Sequence, residues 1–108
     1  MSTLSTHVLD TTAGKPANGI RVTLARGDEV LGAGVTDADG RVRDFPPMRR
    51  ALEPGDYQLR FAVAEYFAAA KRNAFYSEIV IAFRVADDVH YHVPLLLSPF
   101  GYSTYRGS

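Results

Sequence analysis

The chain has 108 residues, a formal net charge of zero and no cysteine. This length predicts a single domain over residues 1–108 with a substantial core. Because the lysines and arginines are scattered, the chain lacks the basic surface of a nucleic-acid or membrane binder, and without cysteine it can form neither disulfides nor thiolate sites. No segment resembles a signal peptide or reaches the length of a membrane-spanning helix, which predicts a cytoplasmic protein.

The first half of the chain has the pattern of short strands separated by turns. Strands are predicted at residues 4–9, 20–25, 30–36 and 41–43 from alternating apolar and polar residues. Residues 10–16 and 37–40 have turn composition, and residues 26–29 have that of a hairpin. Residues 45–55, which hold three prolines, are predicted to form a surface loop.

The second half contains the one predicted helix, an Ala-rich segment at residues 64–71 for which Asn73 is a plausible stop. Strands are predicted at residues 57–63, 78–85, 90–97 and 100–105. Eight short strands and one short helix in a domain of this size predict an all-β fold, a two-sheet antiparallel β-sandwich.

Alternation of side chains brings several chemically active residues to one outer face. Successive side chains of a strand point to opposite faces, so Leu4, Thr6 and Val8 are predicted to face the core. In the seventh predicted strand the corresponding core residues are Tyr91, Val93, Leu95 and Leu97. If the first, seventh and eighth predicted strands are neighbours, their outer face carries His7, Leu9, His92, Pro94, Leu96, Ser103 and Tyr105. This mixture favours a groove against another subunit over a solvated surface.

Each candidate residue also has an interpretation without catalysis. His7 alone fits a half-buried, hydrogen-bonded histidine, and Arg41 alone fits a solvated charge. His90 and His92 point to one face, where they could form a polar stripe, a pair of metal ligands or a proton-transfer group. Metal binding is the weaker of these interpretations, because only His7 is an obvious third ligand. Residues 37–40 resemble half of a calcium loop but lack its remaining ligands, which favours a simple turn.

Three blocks of the sequence resemble the family of transthyretin-related 5-hydroxyisourate hydrolases. They are residues 4–10 (LSTHVLD), residues 36–41 (TDADGR) and residues 90–108, which include HYHVPLLLS and the terminal YRGS. The terminal tetrapeptide is the most specific of them, since the hormone-carrier branch of the fold lacks it. The resemblance implies a transthyretin-like two-sheet sandwich, dimers made by extending sheets edge to edge, and a homotetramer with active sites at the mouths of a central channel.

The resemblance also implies an activity, which is cofactor-independent hydrolysis of 5-hydroxyisourate to 2-oxo-4-hydroxy-4-carboxy-5-ureidoimidazoline in urate degradation. Histidine would activate water and arginine would stabilise the oxyanion. The implied catalytic residues are His7, Arg41 and His92, and the implied substrate-binding residues are Tyr105, Arg106, Gly107 and Ser108. Two alternatives stay open: a transthyretin-type carrier of an aromatic ligand, and a metal-dependent hydrolase that uses His7, His90 and His92.

Overall fold

The computed structural model describes residues 3–43, 45, 52–87 and 89–107. Within these residues the chain forms two β-sheets and one short helix. The elements in chain order are β1 (Thr3–Asp10), β2 (Lys15–Pro16), β3 (Arg21–Arg26), β4 (Glu29–Val35), β5 (Arg41–Val42), β6 (Gly55–Phe61), α1 (Val63–Ala69), β7 (Ile79–Val85), β8 (His90–Ser98) and β9 (Gly101–Thr104). The predicted all-β sandwich with one short helix is confirmed.

The first sheet brings the beginning and the end of the described chain together. Its strand order is β2-β1-β8-β9, with β5 also paired to β1, and the second sheet has the order β4-β3-β6-β7. The β1 and β8 strands run parallel, while the other strand pairs in the described residues are antiparallel. The sandwich is therefore not uniformly antiparallel. The parallel pair is possible because the whole second sheet connects β1 to β8, and parallel strands need a long crossover.

The core lies between the two sheets and follows the predicted alternation. Leu4, Thr6 and Val8 of β1 are buried, and so are the inward residues of β8, namely Tyr91, Val93, Leu95 and Leu97. The residues between them on β1, including His7, are only partly buried. Pro94 was predicted on the outer face and lies opposite His7, yet it is buried, because β1 flanks it on one side and the end of β9 on the other.

The segment predicted as a surface loop is anchored in the core at both ends. Phe45 is 1% exposed and Leu52 is 6% exposed. The Phe45 backbone lies directly against Gly32, where an added Cβ would come within 2.2 Å of the Phe45 carbonyl oxygen. The prediction of a surface loop is therefore wrong at these positions, because both apolar side chains fill the space between the sheets. Residues 46–51 lie outside the described residues.

The helix and the first turn also differ from the prediction in detail. Helix α1 begins at Val63, which was assigned to the preceding strand, and ends at Ala69. Lys71 adopts a φ of 56°, so the backbone leaves the helical conformation before Asn73. The predicted turn at residues 10–16 contains the short strand β2, which pairs with the end of β1. Within the described residues, no helix has the length and apolar character needed to cross a membrane.

Candidate active site

The three residues expected to be catalytic lie on adjacent strands of the first sheet. His7 on β1 is directly opposite Arg41 on β5, and on its other side it is opposite Pro94 on β8. His92 is opposite Ser5, two residues before His7 on the same face. Since residues two apart on neighbouring strands are diagonal neighbours, the structure brings His7, Arg41 and His92 together on the outer face.

A tight turn fixes the position of Arg41. The Asp37 Oδ1 atom accepts hydrogen bonds from the backbone N–H groups of Asp39, at 2.9 Å, and of Arg41, at 3.0 Å. These bonds lower the pKa of the Asp37 carboxyl below its usual value, and the bond from Arg41 has the larger effect. Gly40 has a φ of 76°, and a Cβ there would lie 2.4 Å from the Val8 carbonyl oxygen. The turn therefore requires glycine at position 40, and it positions Arg41 on β5 opposite His7 on β1.

The environment of His92 keeps its imidazole uncharged at neutral pH. Burial lowers the pKa of His92 below 6.5, and electrostatic interactions with Arg41, His7 and His90 lower it further. A hydrogen bond with the Ser5 backbone raises the pKa of His92 but is the smallest of these effects. A neutral imidazole offers one ring nitrogen as a proton acceptor. His92 is therefore suited to act as a base.

The last described residues return to the same imidazole. The Gly107 N–H donates a hydrogen bond of 2.8 Å to the His92 carbonyl oxygen. A Cβ added to Gly107 would lie 2.5 Å from His92 Cδ2, so only glycine lets the backbone come this close. Arg106 stacks its guanidinium 4.8 Å from the centre of the Tyr91 ring. Ser108, which was predicted to bind substrate, lies outside the described residues.

A cavity of about 290 Å³ lies beside this segment. The cavity is lined by residues of β7, of β8 and of the segment that begins with the last residue of β9. They are Ile81, Ala82, Phe83, Arg84, Tyr91, His92, Val93, Thr104, Tyr105 and Arg106. Of the three predicted catalytic residues, only His92 lines it. Since His7 and Arg41 lie to one side of His92 on the outer face and do not line the cavity, the cavity is not by itself the reaction site. It adjoins that site through His92, Tyr105 and Arg106.

No role was predicted for Ser5, whose hydroxyl contacts two of the histidines. Its Oγ atom lies 2.8 Å from His92 Nδ1 and 2.8 Å from His90 Nε2. The alternation of side chains along β1 places Ser5 on the same face as His7, and this was the one indication in the sequence that Ser5 could belong to the site. Its pairing with His92 depends on the parallel register of β1 and β8, and the sequence did not predict that register. Within the part of the chain described, no group of three or more His, Asp or Glu side chains is arranged to hold a metal ion.

Comparison with known proteins gives consistent matches over the whole chain. A model of the HIUase/Transthyretin family matches residues 4–107. A 5-hydroxyisourate hydrolase from Deinococcus radiodurans is 48% identical over 114 residues, which cover 97% of this chain and 95% of the relative. The structure of Klebsiella pneumoniae 5-hydroxyisourate hydrolase has a TM-score of 0.92 at 44% identity, with 100% of both chains covered. Sea bream transthyretin in complex with thyroxine has a TM-score of 0.86 at 26% identity and covers 96% of this chain and 93% of that one.

Proposed function

The chain belongs to the HIUase/Transthyretin family, and from that membership we propose that it hydrolyses 5-hydroxyisourate in urate degradation. The predicted enzyme class, a hydrolase, is confirmed by curated relatives that are 46–48% identical over 97% of the chain. The observation that carries the proposal is the convergence of His7, Arg41 and His92 on one face of the first sheet. Such a set combines a proton acceptor, which can activate water, with a cation, which can stabilise the oxyanion formed in hydrolysis of a cyclic amide.

In the proposed mechanism, His92 acts as the general base. Its lowered pKa leaves the imidazole neutral, so it can take a proton from a water molecule that His7 helps to hold. The water oxygen attacks the amide carbonyl carbon, and Arg41 stabilises the oxyanion that forms. Collapse of this intermediate breaks the ring C–N bond, and the nitrogen takes up the proton that His92 returns. General-base assistance of this kind contributes about 10²–10⁴-fold.

The end of the chain supplies the proposed substrate contacts. Tyr105 and Arg106 line the cavity beside His92, and Gly107 lets the backbone lie directly against the imidazole. We assign Tyr105, Arg106, Gly107 and Ser108 to hydrogen bonding with the carbonyl-rich heterocycle. The product is 2-oxo-4-hydroxy-4-carboxy-5-ureidoimidazoline, and the mechanism draws on no metal or cofactor.

We further propose that a second copy of the chain covers the part of the outer face that carries Leu9 and Leu96. Leu9 and Leu96 are register partners and only partly buried in the isolated chain, and both lie on the face of His7 and His92. Apolar residues beside catalytic groups favour closure by another subunit. A homotetramer, built as a dimer of dimers from one domain per chain, fits this arrangement, and we propose a cytoplasmic location for it.

The direct test is to generate 5-hydroxyisourate with urate oxidase and to follow the decay of its ultraviolet band. We expect the purified protein to accelerate the decay, and the variants His7→Ala, Arg41→Ala and His92→Ala to lose about 10²-fold or more while keeping their fold. Removal of residues 105–108 should raise KM as well as lower kcat.

Two outcomes would favour the alternatives. Tight thyroxine binding without acceleration of the decay would support a carrier of aromatic ligands. Loss of activity in excess chelator, restored by added metal, would support a metal-dependent hydrolase. We expect full activity in chelator, because His90 and His92 are both engaged by the Ser5 hydroxyl.

A further inference from the structure

A chain of hydrogen bonds leads from His92 to the exposed end of β1. Ser5 Oγ lies between His92 Nδ1 and His90 Nε2, at 2.8 Å from each. The other ring nitrogen of His90, Nδ1, is hydrogen-bonded to Thr3 Oγ1. We propose that Ser5 and His90 form a proton relay between the base His92 and solvent. This proposal rests on the proposed function and adds two residues to it.

The parallel register of β1 and β8 builds the relay. Thr3 is opposite His90, and Ser5 is opposite His92. Side chains two apart on each strand share a face, so the two hydroxyls and the two imidazoles form a continuous row. His92 is half-buried, whereas His90 and Thr3 are exposed. The row therefore runs from the interior of the site to water.

The requirement that His92 act as a base through Nε2 selects one direction for the hydrogen bonds of the relay. The base form of His92 must leave Nε2 free for water, so its proton is on Nδ1 and is donated to Ser5. The hydroxyl of Ser5 has one hydrogen, which it then donates to His90 Nε2. The remaining His90 proton is on Nδ1 and is donated to Thr3. Every group in the row is satisfied in this arrangement, which is poised to carry a proton outwards.

Each proton that moves along the relay can be followed through the hydrolysis. As the water oxygen bonds to the carbonyl carbon, the water proton passes to His92 Nε2, and the carbonyl π electrons move to the oxygen. The Nδ1 proton of His92 passes to Ser5 Oγ, and the hydroxyl proton of Ser5 passes to His90 Nε2. The imidazolium charge then resides on His90. When the ring C–N bond breaks, the sequence reverses, and His92 Nε2 protonates the leaving nitrogen.

Charge and burial favour this direction of transfer. A proton held on His92 is disfavoured by burial and by the positive charge of Arg41, and the same effects lower the pKa of His92. His90 is exposed, so a charge that the relay brings to it is in contact with water. Arg41, His7 and His90 are the charged or titratable groups that act on His92, so moving the charge to His90 takes it away from Arg41.

A purely structural role for Ser5 is the competing explanation, and three substitutions distinguish it from the relay. In Ser5→Ala the row is broken, whereas in Ser5→Thr the hydroxyl is kept. In His90→Gln the amide oxygen can still accept from Ser5 and hold its orientation, but it cannot take up a proton. The relay predicts a loss of kcat on the order of 10-fold for Ser5→Ala and His90→Gln with KM within 2-fold, and near-normal kcat for Ser5→Thr.

The experiment measures kcat and KM of these variants on enzymatically generated 5-hydroxyisourate, with solvent deuterium isotope effects. In mixtures of H2O and D2O, we expect the isotope effect of the unsubstituted protein to show that more than one proton moves in the transition state. In His90→Gln we expect fewer protons to move. Full kcat in His90→Gln together with a loss in Ser5→Ala would overturn the relay and leave Ser5 as an orienting residue. Absence of turnover in the unsubstituted protein would instead overturn the proposed function.

A measurement without substrate tests the direction of the relay. Nitrogen-15 NMR of the imidazole rings distinguishes the two neutral tautomers, and the relay requires the proton of His92 on Nδ1. We expect Ser5→Ala to shift the tautomer populations of His92 and Ser5→Thr to preserve them. A neutral His92 with its proton on Nε2 in the unsubstituted protein would contradict the relay whatever the activity.

Discussion

Gly107 and the His92 imidazole are in direct contact, and the contact leaves no room for a side chain. A Cβ at Gly107 would lie 2.5 Å from His92 Cδ2. We therefore expect Gly107→Ala to displace either the imidazole or the end of the chain, with a loss of kcat/KM of about 10²-fold. Gly101→Ala is the matched control, since its Cβ would meet only Ser98 Oγ at 3.7 Å. Equal activity of the two variants on 5-hydroxyisourate would contradict the prediction.

The turn before β5 should control the activity without touching substrate. Asp37→Ala removes the acceptor for the backbone N–H groups of Asp39 and Arg41, so we expect Arg41 to lose its fixed position and kcat/KM to fall about 10-fold. Asp39→Ala should change little, because that carboxylate is 76% exposed and its ion pair with Arg43 is long, at 4.0 Å. Steady-state kinetics of both variants, with a thermal melt to confirm folding, test this difference.

The pH dependence should follow the lowered pKa of His92. Burial and the neighbouring charge of Arg41 disfavour its protonated form, so the active neutral form dominates at pH 7 and is lost only as the pH falls below 6.5. We expect kcat/KM to decrease on the acid side with an inflection below pH 6.5. In Arg41→Gln one cause of the shift is gone, and the NMR titration of His92 should move upwards. A pKa of His92 at or above 6.5 in the unsubstituted protein would contradict this prediction.

A buried carboxylate should make a measurable contribution to stability. Asp10 has a fully buried side chain and accepts hydrogen bonds from Arg72, at 2.6 Å, and from Tyr66, at 2.8 Å. Burial raises its pKa, but the hydrogen bonds of Arg72, Ala13 and Tyr66 outweigh burial and lower the value to about 2. Because the pKa in the folded state is below that of the unfolded chain, the stabilisation is present above pH 4, at roughly 2 kcal/mol, and is lost as the pH falls towards 2.

Substitution at this pair tests the same contribution at neutral pH. Asp10→Asn removes the charge that the hydrogen bonds of Arg72 and Tyr66 stabilise, and we expect the free energy of unfolding to fall by roughly 2 kcal/mol. Asp56→Asn is the control, because the Asp56–Arg84 pair is exposed on both sides and should matter little. Urea unfolding at one fixed protein concentration measures both variants, and equal midpoints would contradict the prediction.

Much of the fold was predictable because strand periodicity is a local signal. The buried alternation of Leu4, Thr6 and Val8 in β1 follows directly from the sequence, and so does the turn that precedes Arg41. The outer-face placement of His7 and His92 was predictable for the same reason. Their proposed roles came from the resemblance to a family and stay predictions.

The features that escaped prediction depend on contacts between distant parts of the chain. The parallel pairing of β1 with β8 has no local signature, and the position of Ser5 between His90 and His92 follows from it. Burial of Phe45 within a proline-rich segment depends on its contact with Gly32 on β4. The cavity beside His92 was missed because part of its lining, including Phe83, comes from the other sheet.

Because β1 pairs with β8, the proposed active site can form only after nearly the whole chain has been synthesised. The hydrogen bond between Ser5 and His92 joins residues 87 positions apart, so a nascent polypeptide has no working centre until β8 has left the ribosome. Closing so long a loop is among the slow steps of β-sheet folding. No fragment and no partly folded intermediate should therefore turn over substrate, and inactivation should coincide with global unfolding.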